Sequence, residues 1–193
     1  MSEFAIYLKL GLGHILDING IDHILFVIAL CAIYTISDWK KVLILVTAFT
    51  IGHSITLALA TLKIIHFNSE IIEFLIPVTI FITALANLFR KQSVRTRKFQ
   101  SNYLFAIFFG LIHGLGFSNF LRSLLGRDNT ILTQLFAFNI GLEVGQIIIV
   151  AFFMLIAFIF VGIFNLSRRD WNLIISSGVA AIALSLMIET RFW

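Results

Sequence analysis

Six long apolar runs constrain this chain more than any other feature: Ile21–Ser37, Val42–Thr61, Ile71–Phe89, Tyr103–Leu121, Leu132–Phe164 and Asn172–Ile188. A helix needs about 20 residues to cross the roughly 30 Å hydrocarbon core of a bilayer. Continuous apolar runs also lack the alternation of a transmembrane barrel strand. Of the 193 residues, 60% are hydrophobic and 12% are charged, about half the charged share of a soluble domain. Too little polar surface remains to coat a soluble fold of this size. The expected fold is therefore an all-α integral membrane protein, one domain over residues 1–193 built as a bundle of six spans. The count becomes seven if Phe4–Leu16 also crosses, but that segment is short. It reads better as a surface or half-inserted helix ending at the Asn19-Gly20 turn. Leu132–Phe164 is overlong, which implies a tilted span or a helical turn outside the bilayer.

The pI near 9.5 does not point to nucleic acid, because the basic residues sit in short loops, where they report topology. The loops after spans one, three and five hold Lys40, Lys41, Arg90, Lys91, Arg95, Arg97, Lys98, Arg168 and Arg169. The other side holds Lys9, Lys63, Arg122, Arg127 and Arg191. Positive-inside bias puts the first set in the cytoplasm and both termini outside it. A single cysteine, Cys31, leaves no disulfide framework. The opening MSEFAIYLKLG carries Glu3 rather than a basic start and does not read as a signal peptide.

Ionisable groups inside spans cost about 2.5–3.5 kcal/mol each on insertion scales, so each calls for a reason. Asp22 and His23 fall in the first span, His53 with Ser54 in the second, His113 in the fourth and Glu143 in the fifth. Glu73 lies so near an outer end that it is expected to be solvated, as is His66 in its polar loop. With the topology above, four separate segments deliver polar groups to one layer in the outer half of the bundle. His14 and Asp17 share a helix face at i,i+3 and can join that layer from above. The irregular DINGID backbone is tolerated at membrane depth only where it lines a cavity or is buried in protein.

Several imidazoles with carboxylates suit a divalent transition metal such as Ni²⁺, Zn²⁺ or Co²⁺, and suit Ca²⁺ or Mg²⁺ poorly. The candidate metal residues are His14, Asp22, His23, His53, His113 and Glu143. Asp17, Asn139 and Gln146 are candidate outer partners that orient them. Asp22 has a second reading as a helix N-cap, and Ser54 as a hydroxyl bonded to its own helix backbone.

The blocks HILDINGIDHILFVIAL, AFTIGHSITLALA, FFGLIHGLGFSNFL and FNIGLEVGQ resemble, in order, the second branch of the HupE/UreJ family of bacterial membrane proteins. The resemblance runs from about Gly13 to Gln146. It implies a nickel or cobalt permease in a bacterial cytoplasmic membrane, with His14, Asp22, His23, His53, His113 and Glu143 as the functional set. A permease with a His/carboxylate site in the extracytoplasmic half is the leading expectation. The alternative is a membrane-embedded zinc hydrolase acting on a lipid or membrane peptide. Three histidines would then hold the ion, Asp22 or Glu143 would be the base, and Ser54 an oxyanion donor. No HExxH or GxSxG signature supports that alternative. A metal sensor or assembly partner is a third class.

Overall fold

The computed structural model describes residues 2–18, 20–89, 99–124 and 131–193, and every regular element among them is helical. The eight α-helices are α1 (Glu3–Ile15), α2 (Asp22–Cys31), α3 (Trp39–Thr61), α4 (Ser69–Leu88), α5 (Phe99–Gly116), α6 (Ser118–Leu124), α7 (Ile131–Ala157) and α8 (Arg168–Glu189). A 3₁₀ turn at Ile36–Asp38 leads into α3, and a π-helical stretch, Phe158–Ile163, extends α7. Asn19, the basic loop residues from Arg90 to Lys98, and Arg127 lie outside the described residues.

Among the described residues four helical segments are long and apolar enough to cross a membrane: Ile36–Thr61, Ser69–Leu88, Ile131–Ile163 and Arg168–Glu189. A fifth arises if α5 and α6, bent by 47° around Phe117, count as one broken span. The overlong fifth run is thus accounted for by one continuous helical segment of 33 residues. The expected first span, Ile21–Ser37, is not a single helix. Its helix stops at Cys31 after 10 residues, a rise of only about 15 Å. Turns and the 3₁₀ segment follow. Nothing in the apolar composition of this run marks the stop, and tertiary packing decides it.

Cross-helix contacts fix the direction of each element. Near one end of the bundle Gln134 on α7 donates to Glu3 on α1, Arg122 on α6 donates to the Ala60 carbonyl on α3, and Asn119 Nδ2 lies 2.7 Å from Ser69 Oγ. We call this the Glu3 end. At the opposite, Asn87 end, Asn87 Nδ2 donates to the Ala29 carbonyl on α2 at 2.7 Å. There too, Asn172 on α8 donates to the Asn87 carbonyl at 2.9 Å. Helix α1 therefore enters from the Glu3 end, and α2 continues after the break toward the Asn87 end.

The Phe4–Leu16 segment, expected as a surface or half-inserted helix, is laid along the first half of α7. Two glycines make that approach possible. A Cβ on Gly11 would collide with the Phe138 carbonyl, and one on Gly141 with the Leu8 carbonyl. Helices α3 and α5 meet in the same manner: Gly52 faces the Ile107 carbonyl, while Gly110 and Gly114 face those of Phe49 and His53. Backbone-to-backbone approach through small residues is how helices associate where lipid supplies no hydrophobic drive.

Candidate metal centre

The break between α1 and α2 is exposed at Asp17, Ile18 and Gly20, and the histidines on either side of it converge with two more on a buried cluster. His14 is on the last turn of α1 and His23 on the first turn of α2, while His53 and His113 lie toward the ends of α3 and α5. Ring centroids of His23 lie 4.6 Å from His14, 5.8 Å from His53 and 5.3 Å from His113. His14 and His53 are 6.3 Å apart. His23 is thus the hub of the set. Burial is nearly complete, with His23 3%, His53 1% and His113 0% exposed.

Two overlapping groups offer three donors each, His14/His23/His53 and Asp22/His23/His113. Within each group the ligand atoms lie within 4.8 Å of one another. Two donors on one ion with Zn–N bonds of about 2.0–2.1 Å stand at most about 4.2 Å apart, so small side-chain shifts close either group. The ring nitrogens themselves support that fit. His14 Nε2, His23 Nε2, both nitrogens of His53 and His113 Nδ1 are buried without a hydrogen-bond partner among the described residues. An unpaired buried polar group costs about 1–3 kcal/mol. Several on converging side chains offer lone pairs that a metal ion could accept.

Asp22 begins α2, whose N-cap is Ile21, and no side-chain cap hydrogen bond is seen there among the described residues; its Oδ1 lies 3.2 Å from His23 Nδ1. A carboxylate on one imidazole nitrogen holds the proton there and leaves the other nitrogen as a lone pair. Thr79 on α4 serves His113 in the same way: its Oγ1 is 3.0 Å from Nε2.

The remaining candidates are placed around this centre rather than in it. Glu143 accepts a hydrogen bond from Thr47 Oγ1 at 2.6 Å, and it belongs to neither donor group. Gln146, buried on the next turn of α7, accepts from Thr50 Oγ1 at 2.6 Å. Asn139 keeps a buried Oδ1 without a partner among the described residues. Asp17 lines, with Lys9, Gly13, His14, Phe117 and Phe120, a pocket of about 410 Å³. Ser54 donates to the Thr50 carbonyl at 2.7 Å, the backbone-bonded role open to it from sequence. Glu73 and His66 are exposed.

Two contributions had no signal in the sequence. One is Thr79, a hydroxyl on an apolar helix like many others. The other is the aromatic cover of His14: the Phe117 ring sits 3.8 Å from it, stacked in turn on Phe138 at 5.1 Å. Phe117 occupies the bend between α5 and α6, and the bend turns its ring onto His14.

A family model described as HupE / UreJ protein matches residues 1–190, well beyond the four blocks that carried the resemblance. No curated protein and no solved structure matches the chain.

Proposed function

The chain belongs to the HupE/UreJ family, and from that premise we propose that it is a permease for a first-row divalent transition metal. Nickel is the cargo favoured by the family's association with nickel and cobalt transport. The observation that carries the reading is the buried His14–His23–His53–His113 cluster, with its unpaired ring nitrogens. Imidazole donors are borderline in softness and suit Ni²⁺, Co²⁺ and Zn²⁺ alike. Because His23 belongs to both donor groups, an ion passes from the His14 side to the Asp22/His113 side by exchanging partners on one shared imidazole.

The membrane topology follows the same reading. Helices α1 and α2 make one crossing broken beside the metal centre, where Asp17 at the start of the break shares a pocket with His14. With the bent α5–α6 pair and four long spans, the crossings number six. Lys40, Lys41, Arg168 and Arg169 lie at the Asn87 end, and positive-inside bias supports a cytoplasmic Asn87 end and an extracytoplasmic Glu3 end. The setting is the bacterial cytoplasmic membrane. A zinc hydrolase is the weaker reading, because Ser54 and Glu143, two of its three proposed catalytic groups, are engaged with Thr50 and Thr47.

The test is uptake of ⁶³Ni²⁺ into sealed vesicles containing the purified protein. Saturable uptake that disappears in His53→Ala and His113→Ala is the expected result. Tight stoichiometric metal with no flux overturns the permease and returns the hydrolase.

A further inference from the structure

Three phenylalanines stand one helical turn from three of the histidines, always toward the Asn87 end. Phe26 follows His23 by three residues on α2, Phe49 precedes His53 by four on α3, and Phe109 precedes His113 by four on α5. The helix directions established above turn these sequence offsets into one layer. Phe26 lies 4.7 Å from Phe49 and 5.9 Å from Phe109 between ring centroids. Phe26 and Phe49 also touch the centre, 5.0 Å and 5.2 Å from His113.

One further turn along, Leu30, Leu45 and Phe105 line a pocket of about 410 Å³, whose polar groups include Tyr34, Asn87 and Asn102. The pocket on the Glu3 side, by contrast, is lined by His14 itself. The histidine centre therefore meets one pocket directly and is separated from the other by a single sheet of aromatic rings. We infer that Phe26, Phe49 and Phe109 form the gate through which the histidine centre empties into the Tyr34–Asn87–Asn102 pocket, which receives the divalent cation as it regains water. This rests on the transport reading.

The chemistry of the two sides favours that direction. Side chains of the ring layer carry no polar atom, so an ion losing imidazole ligands cannot dwell there, and hydrophobic constrictions block ions by excluding water. Beyond it, hydroxyl and amide oxygens hold a borderline metal more weakly than imidazole does. Asn102 Nδ2 donates to the Tyr34 hydroxyl at 3.1 Å, which keeps this polar pair at the pocket wall. Thinning the layer lowers the barrier without removing a metal donor.

The experiment compares the wild type with Phe49→Ala and the milder Phe49→Leu in phosphatidylcholine–phosphatidylglycerol vesicles, using Ni²⁺. Bound nickel per protein is expected to stay at the wild-type value, while initial uptake rises at least three-fold in Phe49→Ala and less in Phe49→Leu. Unchanged uptake with wild-type nickel binding overturns the gate and leaves transport standing. Absence of uptake by the wild type overturns the transport reading, and the gate with it. If Phe49→Ala does not fold, Phe49→Leu and an accessibility measurement decide. In a Cys31→Ala background, Thr83→Cys reports the inner pocket and Gly13→Cys the outer one. Reaction with a membrane-impermeant thiol reagent from opposite faces is expected, and reaction of both from one face overturns the gate.

Discussion

His113 Nε2 lies 3.0 Å from Thr79 Oγ1, and the single proton of that hydroxyl is directed at the Ile76 carbonyl 2.7 Å away. With its proton on that carbonyl the hydroxyl accepts from the ring, an arrangement that puts the ring proton on Nε2 and leaves the buried Nδ1 as the free lone pair. Replacing Thr79 by Val removes the acceptor at nearly constant volume. Nickel affinity, read by isothermal titration, is expected to fall about 10–100-fold. Thr79→Ser should recover most of the loss; a Val variant with unchanged affinity means the hydroxyl does not set the tautomer.

His23 belongs to both donor groups, whereas His14 and His113 belong to one each. His23→Ala is expected to abolish stoichiometric metal, measured by mass spectrometry of the purified protein. His14→Ala and His113→Ala should each retain a weakened site. Equal losses in all three would show a single ion bound by all donors at once.

Glu143 spends its carboxylate on Thr47, away from the imidazoles. Glu143→Gln keeps that hydrogen bond, because the amide oxygen still accepts. Bound nickel per protein should be unchanged, and affinity altered less than about three-fold, well under the 1.4 kcal/mol of a tenfold step. Loss of the metal in this variant would place the carboxylate on the ion.

Gly110 leaves no room for a side chain against the Phe49 carbonyl, and Phe49 and His53 sit on that same face of α3. Gly110→Ala should destabilise by about 1–3 kcal/mol, the usual range for overpacking, lowering the detergent-solubilised melting temperature. Gly13→Ala, where an added Cβ meets nothing, is the control expected to leave it unchanged or slightly raised.

A ligand that binds only the folded bundle stabilises it by about 2.7 kcal/mol at 100 times its dissociation constant. Nickel should raise the melting temperature of the wild type, and chelation should reverse the rise. His23→Ala, which removes the imidazole common to both donor groups, should show neither change.

The residues of the centre were readable because ionisable groups in apolar helices are rare enough to stand out. His23, His53 and His113 needed only a depth argument to be placed together, and the structure puts them in one cluster. Asp22 kept two readings in the sequence, and its pairing with His23 favours the carboxylate role over the helix cap. Glu143 looked equivalent to the histidines because depth says nothing about which way a side chain points around its helix. Thr79 and Phe117 were not legible at all, since a hydroxyl or a ring in a greasy helix has many ordinary uses. The early end of α2 was hidden for a related reason: Ile24–Ile33 is uniformly apolar across Cys31, with no glycine or proline after Gly20 to mark a stop.

The arm that carries His14 has a consequence for synthesis. Helix α1 is held by α7, as in the Glu3–Gln134 contact between residues 131 positions apart. While the ribosome is still making the middle of the chain, that arm has no groove to settle into. His23, His53 and His113 can gather earlier, but His14 arrives only after α7 has been threaded into the bilayer. Assembly of the full histidine cluster is therefore a late event in biogenesis, and the nascent chain cannot present all four imidazoles in their finished geometry before the helix bundle exists.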